Sequence, residues 1–245
     1  MPAPTIDELT LADDPARWAA LGFDVADRCT QIGSVRLRFL EPAGGSGTPA
    51  AEADEPVAGA DAPALPAESA PVPGIAGWSL RDAHSAELDG LPTALSERPL
   101  PDPAPAHPNG VLAIDHVVAA SPDLDRSVAA LQAAGLDLRR LREQPTPAGA
   151  PRQAFFRLGG EILEVIQEPQ EAIARAGGAD HPVRFWGLAL LVDDLDGAAE
   201  RMSPHVGEPR AAVQPGRRIA TVRRSAGLTV PLALMSADER AKEDR

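Results

Sequence analysis

Residues 112–125 read Leu-Ala-Ile-Asp-His-Val-Val-Ala-Ala-Ser-Pro-Asp-Leu-Asp, and residues 183–196 read Val-Arg-Phe-Trp-Gly-Leu-Ala-Leu-Leu-Val-Asp-Asp-Leu-Asp. Each is an apolar run of strand length that ends in an Asp-Leu-Asp helix start, and each is followed by an Ala-rich stretch. A pattern met twice at this length marks an internal repeat. The copies differ at one chemically decisive place: His116 in the first stands where Gly187 stands in the second.

Working outward from the first copy, residues 112–120 form a strand. Ser121-Pro122-Asp123 supplies an N-cap and a proline for the first helical turn. The helix that follows carries Val128, Leu131 and Ala134 on one face and stops at Gly135. Strands are expected at 136–142, 152–158 and 161–167, the last two joined by Gly159-Gly160, so the unit reads β-α-β-β-β. The second copy repeats this with strands at 184–192, near 208–213, at 217–224 and at 228–235, and a helix at 194–202. Gly160 aligns with Gly227, and Glu164 with Pro231.

The N-terminal region reads as a third, shortened copy. Ile6-Asp7-Glu8-Leu9 matches Ile114-Asp115-His116-Val117, and the run from Gly33 to Pro42 matches that from Gly160 to Pro169, with a further strand from Gly74 to Arg81. Residues 43–72 are Gly, Pro, Ala, Ser and acids without apolar periodicity, a composition expected to be a disordered insertion. The proline-rich stretch 95–110 is a semi-extended linker. The expected organisation is a degenerate N-terminal unit over 1–94, the linker, and a paired domain over 111–245 with units 111–169 and 183–236. The fold class is α+β, built from paired βαβββ units.

The chain has 245 residues and a formal charge of −13, with eleven acids and two arginines between Glu41 and His107. That balance argues against nucleic acid as a partner. A single lysine, Lys242, stands against 22 arginines, with abundant Ala and Pro, as in a GC-rich bacterial coding sequence. Cys29 is the sole cysteine, so no intrachain disulfide is available and a reducing cytoplasm is expected. No apolar run approaches the ~20 residues of a membrane helix, and no secretory leader is legible at the N-terminus.

The strands carrying Ile-Asp-His-Val-Val, Pro-Asp-Leu-Asp, Gly-Gly-Glu-Ile-Leu-Glu-Val-Ile and Val-Asp-Asp-Leu-Asp resemble the vicinal oxygen chelate superfamily, which includes glyoxalase I, bleomycin-resistance proteins and extradiol dioxygenases. The resemblance covers about residues 110–236, with a weaker echo over 5–82. It implies two units forming a curved sheet around a cavity. In metal-dependent members each unit places one ligand on its first strand and a Glu on its fourth. By position His116 and Glu164 fill those places in unit one. Gly187 and Pro231 occupy them in unit two and offer no donor. The N-terminal copy offers Glu8, and then Leu37 or Trp78.

The expected function is therefore binding of a small organic ligand in the sheet cavity without a tightly held metal, for which the resemblance implies bleomycin-resistance-type sequestration as the family precedent. His116 and Glu164 are the candidate catalytic pair, or else hydrogen-bond each other across the cavity. Gln153, Phe155, Trp186 and Arg218 are the candidate ligand contacts; of Arg217 and Arg218 only one can face inward, because strand side chains alternate. The alternative is a lyase, isomerase or dioxygenase dependent on Zn, Fe, Mn or Ni, with His116, Glu164 and Glu8 as ligands. A third reading is an interaction module. Three units leave one sheet face without a partner, so a homodimer through the N-terminal unit is expected, with Leu9, Leu11, Val35, Leu37 and Phe39 as interface or core positions. No membrane partner is expected.

Overall fold

The computed structural model describes residues 3–41, 74–145 and 149–238. The expected disorder of 43–72 lies outside the described residues. The paired units build an eight-stranded sheet. The first unit contributes β6 (Val111–Ser121), α2 (Leu124–Ala133), β7 (Asp137–Arg142), β8 (Gln153–Leu158) and β9 (Glu161–Gln167). After a short α3 (Gln170–Arg175), the second contributes β10 (Arg184–Val192), α4 (Leu195–Arg201), β11 (Arg210–Ala211), β12 (Arg218–Thr221) and β13 (Leu232–Ser236). The strand order is β11-β12-β13-β10-β6-β9-β8-β7. Strand β6 runs parallel to β9, β10 runs parallel to β13, and the two units join through the antiparallel β6–β10 pair. The α+β class and the paired βαβββ units are as read from the sequence.

The helix starts follow from the repeated Asp-Leu-Asp. Asp123 accepts from Arg126 N at 3.0 Å, and Asp194 accepts from Gly197 N at 3.0 Å. The cap of α2 is thus Asp123, with Pro122 just outside the helix and not within its first turn. Gly135, at φ 92°, ends the segment in a conformation that favours glycine.

The N-terminal region departs from expectation in an instructive way. Its strands β1 (Thr5–Leu11), β2 (Cys29–Ile32), β3 (Val35–Phe39), β4 (Ile75–Arg81) and β5 (Thr93–Ser96), with α1 (Pro15–Ala20), form a five-stranded sheet in the order β2-β3-β1-β4-β5. Strand β1 is parallel to β3 and antiparallel to β4, and β4 is parallel to β5. These pairings repeat β6–β9, β6–β10 and β10–β13. The sheet is a shortened image of the whole pair, not of one unit: a βαββ half followed by a two-strand half in which a loop replaces the helix. Both sheets even carry the same irregularity. The β1–β4 register slips at Asp7, between Ile6 and Glu8, and the β6–β10 register slips at Asp115, between Ile114 and His116.

The two sheets share one core. Ile6, Leu9, Trp18, Leu37 and Leu80 from the small sheet pack in one cluster with Val117, Leu131, Phe156, Leu163 and Leu190 from the large one. Burial of this apolar surface, at ~25 cal/mol per Å², is the main force joining them. Asp13 clasps the seam, its carboxylate accepting from Trp18 Nε1 at 2.9 Å and Thr229 Oγ1 at 2.6 Å. Trp78 meets Phe185 edge-on at 5.2 Å. The segment 97–110 is tied down along its length, through Ala104 N to Gly33 O and Asn109 Nδ2 to Leu21 O, both within 3.0 Å. Leu9, Leu11, Val35, Leu37 and Phe39 are all buried within the chain, so the face that suggested a dimer is filled internally. No described helix is long and apolar enough to cross a membrane.

Candidate functional site

The face of the large sheet turned away from the shared core carries the site. Strand alternation places Val118 and Glu164 together, because their Cα atoms are partners in the parallel β6–β9 ladder, and Phe155 lies opposite Glu164 on β8. The bulge at Asp115 does something that alternation forbids: it turns two successive side chains toward the same side. Asp115 Oδ2 and His116 Nδ1 are consequently 2.8 Å apart.

A polar row results. Arg217 donates through Nη2 to Asp115 Oδ1 and through Nε to the Ser236 carbonyl at 2.8 Å. Asp115 holds His116, whose Nε2 lies 3.7 Å from Glu164 Oε2. Gln153 donates through Nε2 to the other oxygen, Oε1, of Glu164. The His116 and Glu164 side chains are only 13% and 9% exposed, so these charges interact in a largely dry setting. Burial alone would raise the Asp115 carboxyl, but the hydrogen bonds from His116 and Arg217 outweigh it and hold the group at about 2. Burial would lower the His116 imidazole, yet the Asp115 hydrogen bond and the Glu164 charge raise it above its ordinary value. An imidazole so placed stays protonated over a wider pH range, hydrogen-bonded to Asp115 through Nδ1 and facing the Glu164 charge through Nε2.

Beside the row lies an apolar patch of Val118, Ala120, Ala150 and Ile166, against which Trp186 packs. Trp186 occupies a second β6–β10 irregularity, between Phe185 and Gly187. Its Nε1 and the Oε1 of Gln153 are buried and make no hydrogen bond.

His116, Glu164, Gln153, Phe155 and Trp186 are thus gathered on one face. Arg218 is not: it forms a bidentate pair with Asp196 at 2.6 and 2.9 Å, and Arg217 takes the inward place. The alternation argument is sound, but which arginine faces in depends on where the strand enters the ladder, and Arg218 N is bonded to Ser236 Oγ. Glu8 belongs to the other sheet, paired with Arg38 at 2.7 Å. Asp115 was missed, and Arg217 was weighed but passed over for Arg218. The adjacency of Asp115 to His116 was visible, but the bulge that makes it useful was not.

The donor set does not fit a tightly held divalent ion. His116 and Glu164 supply two donors where three or four are usual. In the second unit a Cβ added to Gly187, the counterpart of His116, would lie 2.8 Å from the Pro231 carbonyl oxygen, which already accepts from Leu188 N at 2.9 Å, so backbone closes that place. The ladder corrects the other match: Ala233, the partner of Ala189, and not Pro231, stands where Glu164 pairs with Val118, and it too offers no donor. Among the described residues no three His, Cys, Asp or Glu side chains form a group that could hold a metal.

Residues 115–221 match the family model of the Glyoxalase/Bleomycin resistance protein/Dioxygenase superfamily. The resemblance to the vicinal oxygen chelate superfamily therefore holds for the paired-unit half of the chain. Among solved structures, a methylmalonyl-CoA epimerase from Mycobacterium tuberculosis is 19% identical with a TM-score of 0.44, covering 55% of this chain and 93% of that one. A hypothetical protein from Bacillus halodurans C-125 is 17% identical with a TM-score of 0.41, covering 51% and 94%. A Streptomyces coelicolor methylmalonyl-CoA epimerase in complex with 2-nitronate-propionyl-CoA is 20% identical with a TM-score of 0.42, covering 53% and 96%. Likenesses this distant say nothing of the reaction. No curated protein matches the chain.

Proposed function

We propose that the paired-unit half binds a small organic ligand on the site face beside His116 and Glu164, without a tightly held metal. The observation that carries this reading is the pair of buried polar atoms without partners, Gln153 Oε1 and Trp186 Nε1. Such atoms are rare in folded proteins because each forfeits its hydration. A ligand that accepts from the indole and donates to the amide satisfies both, while its apolar body covers Val118, Ala120, Ile166 and Phe155. Because Trp186 and Gln153 stand on strands on either side of that apolar patch, an aromatic or aliphatic molecule with a polar group at each end has this form. Glu164 and His116 border it as hydrogen-bonding groups.

The rival reading is a divalent-metal-dependent lyase, isomerase or dioxygenase. The two-donor set and the closed Gly187–Pro231 contact weigh against it. The interaction-module reading loses its motive, since the face that prompted it is internal. A reducing cytoplasm suits the single cysteine, and we place the protein there.

The test is a melting-temperature screen against small aromatic and aliphatic acids, amides and alcohols, repeated with Trp186→Phe and Gln153→Leu. Binders are expected to raise the wild-type melting temperature and to lose most of that effect in both variants. Equal shifts in wild type and variants would place the ligand elsewhere. Near-stoichiometric Zn, Fe, Mn or Ni that co-purifies and is lost in both His116→Ala and Glu164→Ala would sink the metal-free reading.

A further inference from the structure

The duplicated architecture brings a second face into view. By register, Glu8 in the small sheet corresponds to His116, and Arg38, the ladder partner of Thr10, corresponds to Glu164, the partner of Val118. The small sheet therefore has its own site face, and there the histidine and carboxylate are replaced by a charge cluster of a different kind. Three guanidinium groups converge on the buried Glu8 carboxylate: Arg38 Nε at 2.7 Å, Arg98 Nη2 at 3.3 Å and Arg36 Nε at 3.6 Å. Arg98 also meets Asp7 at 2.7 Å, and Arg81 closes the far side of Asp7. Four arginines thus face two carboxylates. The side chains of Arg36, Arg38 and Arg98 remain 45, 43 and 49% exposed, so all three are partly open to solvent beside the same buried carboxylate.

We propose that this face is a second binding site, for a small molecule bearing a phosphate or carboxylate group. The oxyanion would sit on the solvent side of Arg36, Arg38 and Arg98, across from Glu8. Excess cationic charge within a strongly acidic chain favours an anion there, and guanidinium forks match both oxyanions in geometry. Glu8 and Asp7 hold the arginines in place beforehand, which lowers the ordering cost of binding. The site is separate from the one beside His116 and does not depend on it.

Cys29, the sole cysteine, provides the readout. It is the ladder partner of Arg38 and its Sγ lies 2.9 Å from Arg36 Nη2. Alkylation by iodoacetamide, a neutral reagent, is followed on the full chain at constant ionic strength with inorganic phosphate, with succinate, or with chloride alone. Phosphate or succinate is expected to slow the reaction, and which of the two does so identifies the preferred oxyanion. Arg38→Gln and Arg98→Gln should weaken the protection about tenfold, whereas Arg139→Gln, an exposed arginine on β7, should leave it unchanged. If Arg38→Gln fails to fold, Arg98→Lys keeps the charge, loses the fork, and should fall between wild type and Arg98→Gln. The proposal is overturned if neither anion protects Cys29, or if Arg139→Gln weakens protection as much as the others. It is also overturned if Cys29 is shielded without added anion and deletion of 43–72, with its five acids, exposes it; that face would then belong to the acidic segment.

Discussion

His116 stands between two carboxylates, and this sets how the protein responds to pH. Its imidazole is raised above the ordinary 6.5, so its contribution to stability is fully present below that pH and is lost as pH rises through the raised value. Asp115 acts in the opposite sense. Its carboxyl is lowered from 3.8 to about 2, so its contribution, about 2 kcal/mol, holds above pH 3.8 and disappears as pH falls through 2. Denaturant melts of wild type and His116→Gln between pH 6 and 9 should show a falling stability in the first and a flatter profile in the second; parallel profiles would contradict the assignment. At this scale His116, Glu164 and Gln153 were legible because polar residues in apolar strands are conspicuous. Asp115 was not, and the choice between Arg217 and Arg218 fell on the wrong one, because a bulge and the entry point of a strand are set by cross-strand pairing that no local pattern encodes.

The elements show why unit two cannot simply regain a ligand. Gly187 lies against the Pro231 carbonyl, and a methyl group there meets backbone that cannot swing aside. Gly187→Ala is expected to cost about 1–3 kcal/mol, read as a lowered urea midpoint with unchanged slope; a neutral result would mean that β10 and β13 separate easily. Strand and helix positions in the first unit were readable because the apolar periods and the Asp cap agree with the final sheet; in the second, the strands expected at 217–224 and 228–235 shorten to Arg218–Thr221 and Leu232–Ser236, with a 3-10 turn at Arg224–Ala226 between them. The N-terminal match was off by one residue. Gly33, at φ 58°, takes the turn conformation of Gly159 at φ 69°, so Arg38 and not Leu37 falls opposite Glu164. Two adjacent glycines in one copy and one in the other left that choice open to sequence reading.

On the scale of the molecule, the helix-bearing faces of the two sheets share a core, so the two sheets are expected to unfold as one body. Asp13→Ala removes the acceptor for Trp18 and Thr229 at the seam and should destabilise the whole chain by about 2–4 kcal/mol, in a single transition seen equally by fluorescence and circular dichroism. Two separate transitions would show that the sheets unfold independently. With the small sheet's apolar residues already covered, sedimentation should give a monomer at tens of micromolar; a dimer would require a surface other than Leu9, Leu37 and Phe39. The shortened second half of the small sheet escaped sequence reading because a loop stands where a helix would announce it.

The Gly187–Pro231 contact has a twin. A Cβ on Gly77 would approach the Pro92 carbonyl to 3.0 Å, and Trp78 N donates to that same oxygen at 3.0 Å. Thr10 and Val118 stand opposite these two glycines, so both sheets close the same place with the same backbone seat, and Gly77→Ala should lower the urea midpoint in the same direction as Gly187→Ala.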